Sequence, residues 1–211
     1  MEKTVIIINE QKFIKRVKKM ARKTDPNKIE KVKKAAIEMM IQQGYKGASI
    51  AKIAKKASVS TGYLYRYYRT KEELVEDLVK TYTKETRENF IKIFDNKRSS
   101  NEIIHNFVLE IFRWAKEDIF IMKFVITLIF ETKFESKEKE KDMCECMQKI
   151  IDVGLIRKEI NPKITVDEAI IVLFTIPFMY IAKNINKENY KAVLNEASAK
   201  RITEICINAL K

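Results

Sequence analysis

The stretch SIAKIAKKASVSTGYLYRYYRTK, from Ser49 to Lys71, decides the fold of this chain. Its first part, Ile50 to Ala57, repeats apolar residues at spacings of three and four, which predicts a short amphipathic helix. A break follows at Ser58-Val59-Ser60, and Ser60 is suited to cap a second helix that starts at Thr61. Two helices joined by so short a turn cross steeply and leave one side of the second exposed, as in a helix-turn-helix that reads the DNA major groove.

The excess positive charge of the chain is concentrated around this stretch. The 211-residue sequence carries a formal net charge of +13. Residues 1–71 contain 19 Lys and Arg against 5 Asp and Glu, whereas residues 72–211 contain 23 against 24. A module that binds a polyanion concentrates its charge in this way, whereas charge that serves solubility is spread out. We therefore expect the first third of the chain to be the nucleic-acid-binding end.

Composition and helix signals predict an all-α fold. The sequence is 46% hydrophobic, with only 4 glycines and 3 prolines and no alternating strand pattern. Capping boxes predict helix starts after Thr70, Ser99 and Thr165. Apolar periodicity predicts helices over about 26–43, 50–57, 61–67, 71–94, 100–117, 119–130, a segment ending at Gly154, 166–182 with a kink at Pro177, and 187–210. The predicted organisation is a basic N-terminal extension (1–24), a three-helix helix-turn-helix DNA-binding domain (25–71) and a helical ligand-binding and dimerisation domain (72–211).

The basic extension at residues 1–24 is amphipathic and open to more than one interpretation. Such a helix lies along phosphates, adsorbs to an anionic membrane or packs against its neighbours. The main rival hypothesis is therefore a basic module held on anionic lipid by residues 1–24, with the helix-turn-helix vestigial.

The chain offers no constellation for catalysis. Its cysteines, Cys144, Cys146 and Cys206, have no zinc spacing with the single histidine, His105, and are expected to be reduced thiols. The sequence has no nucleophile–base pair, no glycine-rich phosphate loop and no metal-ligand cluster, so we expect neither an enzyme nor a cofactor nor a metal. No apolar run is long enough for a membrane span or a signal peptide, so a cytoplasmic protein is expected.

Two groups of side chains are predicted to contact DNA. Because the N-terminal end of a recognition helix enters the groove, three residues are expected at base edges: Thr61, Gly62 and Tyr63. Nearby hydroxyl and ammonium groups are expected on phosphates, where they fix the register: Tyr45, Ser49, Ser60, Tyr67 and Lys71.

Residues 28–79 resemble the N-terminal signature of the tetracycline-repressor (TetR) family of bacterial regulators. The matching positions are Ala36, Gly44, Tyr45, Ser49, Ile53, Ala54, Ala57, Val59, Ser60, Leu64, Tyr65, Tyr67, Lys71, Glu72 and Leu74. Ser58 stands where the family usually has a glycine, which predicts a left-handed serine in the turn, and Tyr68 stands where it usually has a phenylalanine. The resemblance implies that Tyr67 and Lys71 clamp the DNA backbone and that Leu64 and Tyr65 face the domain core.

The remaining expectations concern partners. One helix-turn-helix reads few bases, so a homodimer on a palindromic double-stranded DNA operator is expected, joined through the last two helices as is usual in the family. The resemblance implies repression as the commonest mode, with activation not excluded. An apolar or aromatic small-molecule inducer is expected among side chains of the middle helices, for each of which plain core packing is the alternative: Phe107, Ile111, Trp114, Phe124, Met147, Phe174 and Phe178.

Overall fold

The computed structural model describes residues 26–93, 98–131 and 137–211, and this part of the chain is helical throughout. The predicted extension at residues 1–24 lies outside it. The first five helices are α1 (Pro26–Gly47), α2 (Ile50–Lys56), α3 (Thr61–Tyr65), α4 (Lys71–Tyr82) and α5 (Lys84–Ile93). The following helices are α6 (Ser100–Glu117), α7 (Ile119–Glu131), α8 (Lys137–Ile156), α9 (Val166–Ile170), a π-helical turn (Ile171–Thr175), α10 (Ile176–Asn184), α11 (Tyr190–Val193) and α12 (Glu196–Ala209).

Helices α1 to α4 form a small unit around one apolar cluster. The predicted end of α1 at Gly44 is visible as a kink, because Gly44 has a left-handed φ of 72° and one further short turn carries the chain to Gly47. Helix α2 packs between α1 and α3, and α4 returns along α1. The centre of this unit consists of fully buried side chains from all four helices: Val32, Ala36, Met40, Ile53, Leu64, Leu74 and Leu78.

The larger unit is built around α6, which contacts α5, α7, α8, α10 and α12. Its start is a capping box, as predicted: the Ser99 hydroxyl accepts from the Glu102 amide, and the Glu102 carboxylate accepts from the Ser99 amide at 2.8 Å. The two units meet where α1 lies along α7. The small unit of α1 to α4 is therefore attached to the larger unit through α1 as well as through the α4–α5 connection.

The long connector helix predicted to reach Phe94 is broken at Thr83. Its φ and ψ of −105° and 2° are not helical, and its hydroxyl donates to the Val79 carbonyl at 2.7 Å. This hydroxyl competes with the regular backbone ladder, which explains the bend. Residues 71–82 and 84–93 are consequently two helices.

The last part of the chain is distorted near the predicted kink and differs from the prediction at two other points. Pro177 lacks the amide that would bond back to Leu173, and the helix shifts into a π-turn just before it, which agrees with the predicted kink. The final predicted helix is two helices, because Asn195 caps α12 by accepting from the Ser198 amide at 2.9 Å. Helix α8 continues past Gly154 to Ile156, since Gly154 serves close packing: a Cβ there would lie 2.5 Å from the Ile160 side chain.

Helix α7 is buried in its middle and exposed near its end. Its central residues Met122 and Phe124 are fully buried, but Ile129 and Phe130 near its end are 40% and 45% exposed. Among the described helices, none has both the length and the apolar character needed to cross a bilayer.

Candidate nucleic-acid interface

Two serines cap the helices of the turn. The hydroxyl of Ser49 accepts from the Lys52 amide at 3.3 Å, and that of Ser60 accepts from the Tyr63 amide at 3.2 Å. Both serines are exposed, so the N-termini of α2 and α3 open to solvent. The partial positive charge at a helix N-terminus attracts phosphate, which is the task predicted for both positions.

The turn between α2 and α3 depends on Ser58. It has a φ of 56°, which confirms the left-handed conformation predicted from its position. The Ser58 amide bonds to the Lys55 carbonyl at 3.1 Å and the Val59 amide to the Ala54 carbonyl at 3.0 Å, which closes the end of α2. The turn therefore fixes the angle at which α3 leaves α2.

Helix α3 turns one side to the core and the other to solvent. Leu64 is fully buried and Tyr68, four residues later, is 7% exposed, so these two form the core side. Tyr65 is 55% exposed, and the expectation that it faces the core is wrong. Adjacent residues in a helix point about 100° apart, and in α3 this rotation takes Tyr65 away from the side on which Leu64 is buried.

The N-terminal residues of α3 have unequal exposure. Gly62 is exposed, and a Cβ built on it would meet no atom within 4 Å, so its backbone is open to close approach. Thr61 is half-buried beside it. Tyr63 is also half-buried, and its ring centre lies 5.0 Å from that of Tyr67 in a tilted pair against the core. The base-edge role of these three residues stays a prediction, and for Tyr63 packing is a second role.

Lys71 joins the start of α4 to the end of α1. Its ammonium donates to the carbonyl oxygens of Tyr45 at 2.9 Å and Ala48 at 3.2 Å, and lies 3.8 Å from the centre of the Tyr45 ring. The Lys71 ammonium therefore stabilises the negative end of α1 and the carbonyl groups there. Two of the three ammonium hydrogens are used in this way, so one remains for the predicted phosphate contact.

The Tyr45 hydroxyl, a second predicted phosphate ligand, donates to Glu72 Oε1 at 2.5 Å. Burial and this bond raise the pKa of Tyr45, and the same bond holds the pKa of Glu72 below its usual value. The hydrogen of the Tyr45 hydroxyl is therefore used within the protein, and a phosphate contact by this residue stays a prediction.

Exposed basic side chains surround α3. Lys55, Arg66 and Arg69 are exposed and form no salt bridge with any residue that the structure describes. Lys52 instead donates to the Gly47 carbonyl at 2.9 Å, and Lys56 pairs with Glu38 at 3.1 Å. Arg66 and Arg69, which were not among the predicted DNA contacts, are exposed directly after α3 and follow the exposed Tyr65.

The residues predicted to line a ligand pocket lie together, but they are packed as core. Phe107, Ile111, Trp114, Phe124, Met147 and Phe178 are each at most 7% exposed, and Phe174 is partly buried among them. The ring centre of Phe174 lies 5.2 Å from that of Phe107 and 6.0 Å from that of Phe178. A cleft of about 580 Å³ lies elsewhere, between α1 and α7, and contains none of these residues. Its lining is Asn27, Glu30, Lys31, Lys34, Ile37, Tyr82, Asp118, Phe120 and Ile121.

His105 and the cysteines have structural surroundings. His105 Nδ1 lies 3.1 Å from the Thr203 hydroxyl, which itself donates to the Ala199 carbonyl at 2.8 Å, so the imidazole donates to Thr203. Burial raises the pKa of the Cys206 thiol to about 12, which makes it unreactive at neutral pH. In the part of the chain that the structure describes, no three His, Cys, Asp or Glu side chains form a metal-binding group.

The helix-turn-helix unit matches a known family. The N-terminal family model of the bacterial regulatory proteins of the tetR family matches residues 33–78, which span all of α2 and α3 and most of α1 and α4. This family consists of transcriptional regulators rather than enzymes, which agrees with the expectation from the sequence.

Two curated relatives from Bacillus subtilis align with part of the chain. The HTH-type transcriptional regulator YhgD is 28% identical over 82 residues, which are 39% of this chain and 43% of the relative. The fatty acid metabolism regulator protein is 39% identical over 46 residues, which are 22% of this chain and 24% of the relative. The alignments thus span less than half the length of either relative.

The fold continues beyond the aligned residues. The crystal structure of the transcriptional regulator FadR from Bacillus subtilis, in complex with stearoyl-CoA, superposes with a TM-score of 0.64 over 87% of this chain and 100% of that one, at 19% identity. The helical arrangement after α4 is therefore also the arrangement of solved regulators of this kind. Over α1 to α4, its helix-turn-helix unit, the chain is therefore similar to the TetR family of bacterial regulatory proteins, and beyond that unit it shares the fold of the solved regulators.

Proposed function

We propose that this chain is a homodimeric transcriptional regulator that binds a palindromic double-stranded DNA operator through α3 and is released from it by a small apolar or aromatic molecule. The observation that carries the proposal is the exposure of Tyr65 on α3 and of Arg66 and Arg69 directly after it, in a unit whose α2 and α3 have serine-capped N-termini. Such a surface supplies phosphate contacts through helix ends and arginines, and base contacts through the start of α3. A protein that acts on the chromosome of a bacterium works in the cytoplasm.

The homodimer follows from the small size of the reading helix. With five residues, α3 reaches few base pairs, so useful discrimination needs a second copy on the neighbouring turn of the duplex. Ile171, Met179 and Ile205 are 60%, 50% and 52% exposed on the π-turn, α10 and α12, at the end of the chain far from α3 in sequence. Burial of these side chains against a second copy supplies the hydrophobic core that an interface requires.

Charge along the same helical run favours a two-fold arrangement. Asp167 and Glu168 lie at its start, and Lys183 lies at its end, all of them exposed. A two-fold axis across this surface sets the acidic end of one protomer against the basic end of its partner.

Sedimentation of three variants tests the dimer. Met179→Glu and Ile205→Glu each place a carboxylate in the proposed interface and are expected to give monomers with weakened operator binding. Ile156→Glu, at an 83% exposed position on α8, is the matched control and should stay dimeric. A monomeric wild-type protein at micromolar concentration would contradict the homodimer.

The ligand is proposed to enter the larger unit among the aromatic side chains around α6. Phe107, Phe174 and Phe178 form an apolar interior with no ionic group, so the occupant must itself be mainly apolar. These rings are closed upon each other, and binding must therefore separate them and displace the helices that carry them. Because a structurally similar regulator was solved with stearoyl-CoA, long-chain acyl-CoA belongs in the first panel of compounds.

The decisive experiment is selection of bound duplexes from a random DNA pool by the full-length protein, followed by release with the compound panel. A two-fold symmetric consensus and its release by an apolar compound would support repression by operator blocking. A consensus without release, combined with stimulated transcription in vitro, would favour an activator.

The membrane hypothesis for residues 1–24 is tested with the same protein. A chain lacking these residues should still select the consensus if α3 is the reading element. Binding to vesicles of anionic lipid together with no selection of any DNA sequence by the full-length protein would favour the membrane hypothesis instead.

A further inference from the structure

We propose that Asp77 is a positioning residue that, by holding Tyr68 and Lys33 on one carboxylate, fixes the orientation of α3 and thereby sets the sequence discrimination of the protein. This inference rests on the proposed DNA-binding function. Asp77 does not lie on the predicted DNA surface, and no contact with nucleic acid is assigned to it.

One oxygen atom of Asp77 joins three segments of the DNA-binding unit. Asp77 Oδ2, on α4, accepts from the Tyr68 hydroxyl at 2.6 Å and lies 3.0 Å from the Lys33 ammonium of α1. Tyr68 follows the end of α3 and is joined to it, because the Tyr68 amide bonds to the Leu64 carbonyl at 2.9 Å. The reading helix, the first helix and the connector helix therefore meet at a single carboxylate.

A second contact fixes the carboxylate itself. The Lys33 ammonium also donates to the Thr81 hydroxyl at 3.2 Å, and Thr81 donates to Asp77 Oδ1 at 3.4 Å. Glu30 and Tyr82 face the same cluster from α1 and α4, with the Tyr82 hydroxyl 3.5 Å from Glu30 Oε2. Both oxygens of Asp77 are thus held, which leaves its carboxylate little freedom to rotate.

The bonds from Tyr68 and Lys33 to Asp77 involve two largely buried side chains, so they hold a more fixed geometry than contacts between exposed side chains. The side chain of Lys33 is 11% exposed and Tyr68 is 7% exposed, whereas the Asp77 side chain is 38% exposed. Burial alone would raise the pKa of Asp77, but the bonds from Tyr68 and Lys33 and the Lys33 charge lower it. Asp77 is therefore ionised at neutral pH and accepts strong, charge-assisted hydrogen bonds.

The hydroxyl of Tyr68 adds something that its ring does not. The ring fills the core beside Leu64, and a phenylalanine would fill the same space. Only the hydroxyl, through its bond to Asp77, fixes how the segment that follows α3 is rotated relative to α4. Base readout needs hydrogen-bond partners aligned to bidentate geometry, whereas phosphate attraction tolerates small displacements. A looser α3 should therefore lose discrimination between sequences while keeping its general attraction to DNA.

The test compares the affinity for the selected operator with that for a scrambled duplex of equal length. Tyr68→Phe should reduce the ratio of the two affinities about fivefold, while the affinity for the scrambled duplex and its salt dependence stay unchanged. Lys33→Met should act in the same direction, and Lys33→Arg, which retains a charged donor, should restore most of the ratio. Tyr180→Phe removes a hydroxyl from α10 in the larger unit and is the matched control.

All affinities are compared at a temperature where circular dichroism shows each variant to be folded. An unchanged ratio in Tyr68→Phe and Lys33→Met, with only a lower melting temperature, would overturn the positioning role and leave the three side chains as scaffold. If wild-type protein shows no preference for any duplex, the proposed function fails instead, and the positioning role fails with it. Should Tyr68→Phe not fold, the Lys33→Met and Lys33→Arg pair decides.

Discussion

The ammonium of Lys71 lies 3.8 Å from the centre of the Tyr45 ring and donates to the carbonyl oxygen of the same tyrosine at 2.9 Å. One residue thus neutralises the C-terminal end of α1 through both the ring and the backbone of its partner. The same ammonium is the predicted phosphate clamp, so a single substitution should affect folding and DNA binding in separable ways.

Lys71→Met should lower the free energy of unfolding by about 1–2 kcal/mol, because the carbonyls of Tyr45 and Ala48 lose a charged donor. If the remaining hydrogen binds phosphate, the slope of log affinity against log salt should also flatten by about one unit on every sequence. Lys80→Met, about 13 Å further along α4, is the control for loss of a surface charge. An unchanged slope in folded Lys71→Met would remove this residue from the phosphate contacts.

Acid stability should depend on the bond between Tyr45 and Glu72. The hydroxyl lowers the pKa of Glu72 below its unfolded value near 4.5, so the contribution to stability is present above that pH and is lost as pH falls through the lower folded pKa. Tyr45→Phe should therefore be less stable than wild type at pH 7, and the difference should shrink below about pH 4.5. Urea unfolding at several pH values measures this. A difference independent of pH would show that the hydroxyl acts without Glu72.

Ser58 offers a test of backbone strain in the turn. Ser58 has a φ of 56°, which is strained for a residue with a side chain. Ser58→Gly should relieve this strain and raise the free energy of unfolding by about 0.5 kcal/mol, after the entropy of the unfolded glycine is subtracted. Ser58→Val should lower it by about 1–2 kcal/mol, because a β-branched residue rarely adopts this conformation. Ser58 is exposed, so packing at this position contributes little to the difference in free energy of unfolding between the variants. Equal stability of the two variants would mean that the turn relaxes to another conformation.

The Ser60 cap separates helix stability from phosphate attraction. Ser60→Ala should cost about 1 kcal/mol, since the Tyr63 amide loses its acceptor. Ser60→Asp keeps an acceptor and should retain stability, but its carboxylate repels phosphate at the start of α3 and should abolish operator binding. Thr165→Asp makes the same exchange at the capping box of α9 and should leave DNA binding intact. Operator binding by Ser60→Asp at wild-type affinity would place the DNA away from this helix end.

The sequence predicted the local parts of this structure well and the long-range parts poorly. Caps at Ser49, Ser60, Ser99 and Thr165 follow from short-range hydrogen bonding, and the structure contains all of them. The Thr70 box is only half as predicted: Thr70 accepts from the Glu73 amide, but the Glu73 carboxylate accepts from the Arg69 amide instead of the cap residue. The break at Thr83 was missed because threonine in an amphipathic stripe gives no sign of whether its hydroxyl will bond to the backbone.

At the candidate interface, the sequence predicted which residues lie there but not the residues to which they form hydrogen bonds. Tyr45 and Lys71 were correctly placed near the DNA-binding end, yet their bonds to Glu72 and Ala48 join residues 27 and 23 positions apart, which no local pattern encodes. The Tyr68–Asp77–Lys33 cluster was missed for the same reason. Tyr65 was placed in the core by the family resemblance, and its 55% exposure shows that this position lies on the surface.

Tyr65 and Leu64, adjacent on α3, should respond to substitution in opposite ways. Tyr65→Ala removes a side chain that is 55% exposed, so the free energy of unfolding should change by less than about 0.5 kcal/mol. Leu64→Ala removes a fully buried side chain and should cost about 2–5 kcal/mol, since a cavity remains in the centre of the helix-turn-helix unit.

If the exposed side of α3 meets DNA, folded Tyr65→Ala should lose roughly tenfold or more in operator affinity, as expected for a large amphipathic contact residue. Tyr190→Ala, on α11, serves as the control for loss of a tyrosine remote from α3. Operator affinity of Tyr65→Ala equal to wild type would mean that α3 presents another side to the groove, and the assignment of the reading surface would then pass to the residues around α2.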